Sequence, residues 1–338
     1  MLLAGGMVAI LGMTALVVDG GRIHVAHAEL QTVADLAAKS GARELARVYM
    51  DEGREDPTSD TLSVSEQYRI ATAARQRGLK NRAGGTPIAI DPGDVRVGKW
   101  DDATGKFVET QVGATTVQVV ARRDSTTNGD LPVFFAGVFG YSGVPVRATG
   151  AARVSGVSYL PPGKADFPVA IAKAWFDSHS SPCSVNNKIR FQPTGSADGC
   201  AGWHTFENDP ASGSELKRIL NGLRLGTFES PEIKVGETEL IFNGGTVTSA
   251  INELQALYDA KKNAAGEMAV LIPVYDRDDC SNPNGWIRVV GIARAVITKV
   301  ESAPEKLIEA RVQCGVIEDV ESGGPDFGTL AAGPDRVR

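Results

Sequence analysis

The sequence predicts an α+β protein, in which a long N-terminal helix and an antiparallel sheet precede a second, β-rich domain with two short helices. Three observations lead to this prediction. Residues 1–18 carry no charged side chain, and the helical pattern after them continues without proline to residue 50. From residue 95 onward, short β-branched segments alternate with Gly, Asp and Asn turns. The length of 338 residues fits about two domains.

The uncharged N-terminal run is close to the length that crosses a lipid bilayer. As a helix its 18 residues span ~27 Å, and the hydrocarbon core of a bilayer is ~30 Å thick. We therefore predict that residues 1–18 contact membrane lipid as a partly transmembrane anchor. One alternative is a buried core helix. The other is a signal peptide cleaved after Ala28, because Ala26-His27-Ala28 has the small-x-small form of a cleavage site.

The same helix is predicted to continue beyond the anchor, so that residues 1–50 form one element. A helix over residues 2–50 would be ~74 Å long. Apolar and small residues recur at steps of mostly three or four, as on one helical face. This stripe consists of Ile23, Ala26, Leu30, Ala34, Ala37 and Ala38. Because small side chains allow another helix to approach closely, we predict that the stripe packs laterally against helices of partner proteins.

Residues 51–157 are predicted to form an α+β domain with the long helix. Residues 51–62 are a polar connector, and Ser63 with Glu66 forms a capping-box pattern that begins a second helix reaching about Lys80. Strands follow, with a hairpin loop at residues 102–105 and a further turn at residues 124–128.

Residues 158–320 are predicted to form the β-rich second domain, which begins at a Pro-Gly break. Its two helices are expected near residues 215–220, ended by Asn221-Gly222, and from about residue 247 to 262. Residues 321–338 are rich in Gly, Pro and Asp, and we predict that they form a disordered tail.

A resemblance to a known family is carried by the segment VVDGGRIHVAHAELQTVADLAAKSGARELA. It resembles the N-terminal signature of the TadE/TadG-like family, components of the tight-adherence (Flp) pilus assembly machinery. The matching positions are Asp19, Gly21, Arg22, Leu30, Gln31, Ala34, Asp35, Ala37, Ala38, Gly41 and Ala42. Segments up to about residue 155 resemble the soluble part of TadG-like proteins.

The resemblance implies a pilin-like arrangement whose partners are other pilin-like subunits and pilus assembly proteins. We assign helix interactions to Asp19, Arg22, Ile23, Ala26, Leu30, Gln31, Ala34, Asp35, Ala37 and Ala38. Asp19 and Arg22 are predicted to set the register by pairing charges with neighbouring subunits, and simple interfacial anchoring is the alternative. Gly5 stands where mature major pilins carry glutamate, which favours a minor component.

All four cysteines lie in the second domain, at Cys183, Cys200, Cys280 and Cys314. An even number beyond a membrane anchor predicts two disulfides in an oxidising compartment. Of the three pairings we favour Cys183–Cys200 with Cys280–Cys314. A zinc site is the competing interpretation, but no two cysteines have the close spacing that zinc sites use. His204, the histidine nearest a cysteine, is interpreted as a surface residue.

The acidic loop after residue 275 contains Asp276, Asp278 and Asp279. We interpret it as a solvated turn, with calcium as the alternative, because the register departs from the EF-hand pattern. The formal charge of −6 argues against nucleic acid as a partner. No G-x-S-x-G, H-E-x-x-H or phosphate-loop motif is present, so we predict no enzyme and no cofactor.

These observations predict a non-catalytic, single-pass protein of the bacterial inner membrane. Its body is expected in the periplasm or exposed on a pilus, where it would initiate or join assembly of a Flp-type pilus as a minor pilin-like component. A secreted adhesin or binding module released by cleavage after Ala28 is one alternative. A periplasmic hydrolase is the other.

Overall fold

The computed structural model describes residues 2–51, 57, 59–135, 140, 142–179, 182–184, 187–191, 200–243, 250–304 and 306–337, with the backbone alone for residues 2–16. The chain divides into two compact units. Unit 1 contains Met1–Val48, Thr58–Val154 and Pro334–Arg338, and unit 2 contains Tyr49–Pro57 and Ser155–Gly333. The mixed α+β class and the β-rich body with short helices are confirmed.

The helices of the described residues are α1 (Leu2–Asp51), α2 (Val64–Leu79), α3 (Lys173–Asp177), α4 (Gly213–Leu225) and α5 (Ile251–Lys261), with a 3₁₀ turn at Pro92–Asp94. The strands are β1 (Arg82–Ala83), β2 (Thr86–Pro87), β3 (Val95–Asp101), β4 (Lys106–Glu109), β5 (Thr116–Arg123), β6 (Leu131–Pro132), β7 (Gly143–Val144), β8 (Val146–Arg153), β9 (Gly156–Leu160), β10 (Val169–Ala172), β11 (Lys188–Phe191), β12 (Ala201–Trp203), β13 (Ile233–Lys234), β14 (Glu239–Phe242), β15 (Met268–Tyr275), β16 (Gly285–Glu301), β17 (Leu307–Val312), β18 (Gly315–Ile317), β19 (Glu321–Gly324), β20 (Thr329–Ala331) and β21 (Asp335–Val337).

In unit 1 the helix α1 lies on an antiparallel sheet of strand order β21-β8-β5-β3-β4. The approach is close enough that two contact positions have no room for a side chain. A Cβ atom at Gly150 of β8 would lie 2.6 Å from the backbone carbonyl carbon of Ala34, and one at Gly41 would lie 2.9 Å from a methyl group of Val117 in β5. Alanine and glycine on both surfaces therefore let the helix backbone touch the sheet.

Local sequence signals in unit 1 are confirmed. The Ser63 hydroxyl accepts a hydrogen bond from the Glu66 N–H, and the Glu66 carboxylate accepts one from the Ser63 N–H, so the capping box begins α2. The strands β3 and β4 are joined by the predicted hairpin loop, where the Asp101 carboxylate accepts hydrogen bonds from the next backbone N–H groups. In the turn at residues 124–128 the Asp124 carboxylate accepts hydrogen bonds from the Thr126 hydroxyl and from the N–H groups of Thr126 and Thr127, and these bonds lower its pKa.

Unit 2 is built from two sheets in the described residues. The larger follows the order β11-β17-β16-β15-β10-β12, with β14 paired to β16. Within it, β10 is parallel to β15 and antiparallel to β12. The smaller follows the order β13-β9-β20-β18, with β19 paired to β9. Helices α4 and α5 cover the core with apolar faces that include Leu216, Ile219, Leu254 and Leu257.

In unit 2 the end of one predicted helix needs correction, and one helix was not predicted. The first helix does not end at Asn221-Gly222, because α4 continues to Leu225 and ends at Gly226, whose φ of 71° is left-handed. Gly222 lies inside the helix and is packed against Phe228, so its small size serves packing and not termination. The described residues also include the unpredicted helix α3. The predicted start of the last helix, at residue 247, lies outside the described residues.

The predicted disordered tail is also wrong. Residues 321–338 contribute three strands, of which β19 and β20 pair with β9 and β21 pairs with β8. Thr329, Leu330 and Ala331 are buried. A polar, Gly-rich composition did not prevent order, because backbone hydrogen bonds to existing strands need no apolar side chains.

Across the residues described here, no helix is long and apolar enough to span a bilayer. The predicted anchor at residues 1–18 falls largely outside those residues, since residue 1 and the side chains of residues 2–16 are not described.

Candidate functional site on the N-terminal helix

The small-residue stripe of α1 is buried inside unit 1. Ala26, Leu30, Ala34, Ala37 and Ala38 are at most 1 % exposed, and Ile23 is half-buried. The chain's own sheet covers this face, which differs from the prediction that partner helices cover it. Small side chains allow any neighbouring backbone to approach closely, so the stripe predicts close packing but does not specify whether a helix or a sheet packs on it.

Gln31 and Asp35 are used within the chain as well. The Gln31 amide donates hydrogen bonds to the Asp35 carboxylate at 3.0 Å and to the Thr149 carbonyl of β8 at 2.9 Å. The Arg336 guanidinium in β21 forms an ion pair with Asp35 at 2.8 Å. These polar contacts fix the position of the helix along the sheet, so the two residues have partners within the chain, and their intersubunit contacts stay a prediction.

Asp19 of α1 holds the start of the loop that follows β6. Its carboxylate accepts hydrogen bonds from the backbone N–H groups of Phe134 at 2.8 Å and Phe135 at 2.9 Å. Asp19 is 7 % exposed, so this charge is removed from water and stabilised by the two amide donors. This contact lies within the chain, and the part of Asp19 in intersubunit register stays a prediction.

Arg22 lies one helical turn after Asp19 and contacts the same loop. Its guanidinium carbon is 4.6 Å from the centroid of the Phe134 ring, within the range of a cation–π interaction. Both assigned charged residues therefore engage the segment between β6 and β7. We call the described start of this segment, residues 133–135, the aromatic loop.

Arg123 supports the base of the aromatic loop. Its buried guanidinium donates hydrogen bonds to the carbonyl oxygens of Ala83, Gly84, Gly129 and Asp130. Burial, and then the nearby positive charge of Arg22, lower the pKa of Arg123. The sequence interpretation missed this residue, although an arginine at the end of an apolar strand next to two turns is a recognisable signal.

The two disulfides are confirmed, but the favoured pairing is wrong. Cys183 is bonded to Cys314, with a Cα–Cα distance of 5.3 Å, and Cys200 is bonded to Cys280, with a Cα–Cα distance of 4.2 Å. The register of the larger sheet explains both bonds.

Cys183 and Cys314 are brought together by the antiparallel pair β11 and β17. Lys188 of β11 lies opposite Arg311 of β17, so the residues before Lys188 and those after Arg311 reach the same end. Cys200 precedes β12, and Cys280 follows β15. Because β12 is antiparallel and β15 parallel to the strand β10 between them, these two cysteines also meet at one end.

His204 is buried and not on the surface as predicted. It is enclosed by the rings of Phe206 and Phe242, and its Nδ1 accepts a hydrogen bond from the Phe206 N–H at 3.2 Å. Burial lowers its pKa to about 3, so the imidazole is neutral at physiological pH. A neutral, enclosed ring with this contact fits a core residue.

The acidic loop separates its carboxylates. Asp276 pairs with Arg288, Asp278 pairs with Lys173, and Asp279 accepts a hydrogen bond from the Ser281 hydroxyl. Within the described parts of the chain, no group of three or more His, Cys, Asp or Glu side chains is placed to hold a metal ion.

The described surface of unit 2 contains an open cleft of about 650 Å³ beside the exposed indole of Trp286. It is lined by Glu207, Lys234, Glu237, Thr238, Glu239 and Trp286. The Lys234 ammonium is paired with Glu232 at 2.8 Å, just outside the lining. The cleft can therefore offer an aromatic face together with carboxylate acceptors.

The fold defines the class of this protein as an α+β protein whose N-terminal helix is packed on an antiparallel sheet. Residues 1–44 match the Tad family model, described as "Putative Flp pilus-assembly TadE/G-like". Residues 27–152 match the Tad_C family model, described as "Putative Tad-like Flp pilus-assembly". The first 152 residues of the chain are therefore similar to the TadE/G-like proteins of Flp pilus assembly. No curated protein and no solved structure matches the chain.

This similarity supports involvement in Flp pilus assembly, the process that both family descriptions name. The boundary of the matches is informative, because they cover the helix, the aromatic loop and most of the unit 1 sheet. Both matches end before Ser155, where the larger segment of unit 2 begins.

Proposed function

We propose that this protein is a membrane-anchored, minor pilin-like component that initiates or joins assembly of a Flp-type pilus. The observation that carries the proposal is the helix α1, which is 50 residues long and uses its second half as a core element of unit 1. Residues 1–18 are uncharged and provide the anchor. The two disulfides favour a body on the oxidising side of the membrane.

The part of α1 that the sheet leaves uncovered is the surface that we assign to partner subunits. It carries exposed residues at helical spacing, namely Val25, Ala28, Thr32, Lys39 and Arg43. This surface replaces the alanine stripe, which is already buried. A partner helix could pack on Val25 and Ala28, while the basic residues further along would meet acidic side chains.

In the first experiment the gene is deleted, and the deletion strain is complemented with either the wild-type protein or the variant Val25→Asp. We expect pili to vanish on deletion, to return with the wild type, and to remain few with Val25→Asp, because a charge at this position opposes helix packing. The control is Tyr68→Asp, which changes an exposed residue of α2 in the same unit. Normal piliation without the protein would overturn the proposal.

The location of the protein is tested by shearing pili from cells and measuring the protein in pili and in inner membranes. We expect small amounts relative to the major pilin in the filament, with the remainder in the membrane fraction. A protein found only in the culture medium, beginning at Glu29, would instead establish cleavage after Ala28. The continuous helix through Ala28 supports the uncleaved form.

A binding role for unit 2 is the second candidate, and the cleft beside Trp286 favours it. An exposed indole next to carboxylates suits a ligand with an apolar face and hydrogen-bond donors. We expect the variant Trp286→Ala to lower attachment of piliated cells to a surface without lowering the number of pili. Unchanged attachment would remove this candidate and leave the assembly role intact.

A further inference from the structure

The chain contains a second long uncharged stretch, and it is attached to the end of the first. Residues 1–18 and residues 131–146 both lack Asp, Glu, Lys, Arg and His. The second stretch includes the aromatic loop, and its sequence is LPVFFAGVFGYSGVPV. The stretches are more than a hundred residues apart in the sequence, so only the fold can bring them together.

Asp19 makes this attachment immediately after the first stretch ends. Its buried carboxylate accepts hydrogen bonds from the N–H groups of Phe134 and Phe135, at 2.8 and 2.9 Å. The aromatic loop therefore begins beside the helical turn that leaves the predicted anchor. Arg123 holds the residues just before β6, on the chain leading into the loop, through the carbonyl oxygens of Gly129 and Asp130.

The side chains at this end of unit 1 are apolar and exposed. Phe134 is 67 % exposed and the adjacent Phe135 is 43 % exposed. Single exposed apolar residues are common on proteins, but a contiguous group indicates contact with another apolar phase. The backbone of both phenylalanines is held by a buried charge, so their exposure is built into the fold.

Arg22 gives this surface the charge pattern of a membrane interface. Its guanidinium lies 4.6 Å from the centroid of the exposed Phe134 ring, so a cation and an aromatic ring are presented together. Aromatic rings partition into the headgroup region of a bilayer, and arginine there contacts lipid phosphates. Anionic lipid would thus bind both side chains, with its phosphate contacting Arg22 and its apolar part contacting Phe134.

We propose that Phe134 and Phe135 insert into the lipid interface beside the N-terminal anchor, with Arg22 at the level of the phosphates. This inference rests on the proposed membrane anchoring. Lipid is the occupant because the loop begins where the anchor ends, so an inserted anchor places the bilayer within reach at high effective concentration. The loop then fixes the distance of unit 1 from the membrane.

The test places a photoactivatable benzoylphenylalanine at residue 134 of the full-length protein in vesicles of phosphatidylethanolamine and phosphatidylglycerol. Leu11 is replaced in the same way to report on the anchor. Tyr68 is the matched control, because it is an aromatic residue of unit 1 with 66 % exposure. Thermal unfolding of each labelled protein is compared with that of the wild type, so that only folded variants are interpreted.

We expect lipid adducts at residues 11 and 134, and severalfold less lipid adduct at residue 68. Adducts with lipid at 11 but with only protein or water at 134 would overturn this inference and leave the anchor standing. No lipid adduct at either position would overturn both the anchor and the loop insertion. A dimer adduct at 134 would show that a second copy occupies the surface instead of lipid.

A second measurement tests whether Asp19 positions the loop for contact with lipid. The variant Asp19→Ala removes the acceptor of both amide bonds without changing any apolar side chain. We expect the lipid adduct at residue 134 to fall severalfold while the adduct at residue 11 is unchanged. An undiminished adduct at 134 would show that Asp19 does not position the loop, and the proposal would lose its structural basis.

Discussion

In unit 1 a helix lies directly on a sheet at positions that lack side chains, whereas in unit 2 two disulfides connect elements that are far apart in the chain. Gly41 and Gly150 mark the close contact in unit 1, and none of the four cysteines lies in that unit. In unit 2 the bonds Cys183–Cys314 and Cys200–Cys280 close loops with sequence separations of 131 and 80.

The difference shows two ways of holding a sheet in place. Unit 1 depends on steric fit, so it is sensitive to added volume and insensitive to reducing agents. Unit 2 depends partly on covalent links, so it is sensitive to reduction. The family models match residues 1–152, which include most of unit 1, and end before the segment of unit 2 that begins at Ser155. The following predictions test this contrast, in order of decreasing effect.

Removing the longer disulfide should have the largest effect. On the loop-closure model, replacing Cys183 and Cys314 with alanine costs about 5 kcal/mol of unfolding free energy, and replacing the Cys200–Cys280 pair costs about 4.5 kcal/mol. The measurement is denaturant unfolding in a Trp100→Phe background, where the remaining tryptophans all lie in unit 2.

Loss of either disulfide should leave unit 1 folded. Far-UV circular dichroism would report this through the helices α1 and α2. Non-reducing peptide mapping should recover the 183–314 and 200–280 peptides. Recovery of a 183–200 peptide would contradict the strand register described for the larger sheet.

Adding one methyl group to the helix–sheet contact should have the next largest effect. A Cβ at Gly150 meets the backbone of Ala34 and Asp35, which cannot rotate away, so Gly150→Ala should cost roughly 1–3 kcal/mol or more. The control is Gly93→Ala, because a Cβ at Gly93 meets nothing within 4 Å. Equal thermal stability of the two variants would show that the helix does not approach the sheet this closely.

Removing the carboxylate of Asp19 should have a smaller and more local effect. Asp19→Ala leaves two backbone N–H groups of the aromatic loop without their acceptor, at a cost of about 1–3 kcal/mol. Amide hydrogen exchange at Phe134 and Phe135 should become faster. Glu44→Ala is the matched control from the same helix, since Glu44 pairs with the exposed Arg69 and should matter less.

The contribution of His204 to the pH dependence of the unfolding free energy should be the smallest effect near neutrality. Its pKa is about 3 in the folded protein, below the usual value of about 6.5, so the unfolded chain binds the proton first as the pH falls. Stability is therefore complete above pH ~6.5 and declines below it, by at most ~1.4 kcal/mol per pH unit.

This loss belongs to unit 2 and should disappear in His204→Asn, whose side-chain oxygen can accept the Phe206 N–H. The readout is the slope of unfolding free energy against pH and not the absolute stability, because the substitution also changes packing. An equal slope in both proteins would mean that His204 is accessible to protons in the fold.

Several features of unit 1 follow from short-range signals. The capping box of Ser63 and Glu66 predicts the start of α2 because both hydrogen bonds join residues three apart. The hairpin loop at residues 102–105 is similarly local. The absence of proline and the alanine-rich pattern predict that α1 continues to about residue 50, and the helix ends at Asp51. Such features depend on neighbouring residues and need no knowledge of the fold.

The errors concern partners at long range. The alanine stripe predicts close packing but not the identity of the neighbour, which is strands β5 and β8. The composition of residues 321–338 predicts disorder, yet unpaired strand edges in both units accept them. The cysteine count predicts two disulfides, but only the strand register determines which cysteines meet.

By itself the sequence determined the resemblance to the TadE/G-like family, the long helix, the two uncharged stretches and the presence of disulfides, because each depends on local pattern or composition. The tertiary structure decided that the stripe is covered by a sheet, that Asp19 holds the aromatic loop, and that Cys183 is bonded to Cys314. The physical reason is that these contacts join residues up to 131 positions apart. Chain topology and strand register set such distances, and neither is encoded in a short segment.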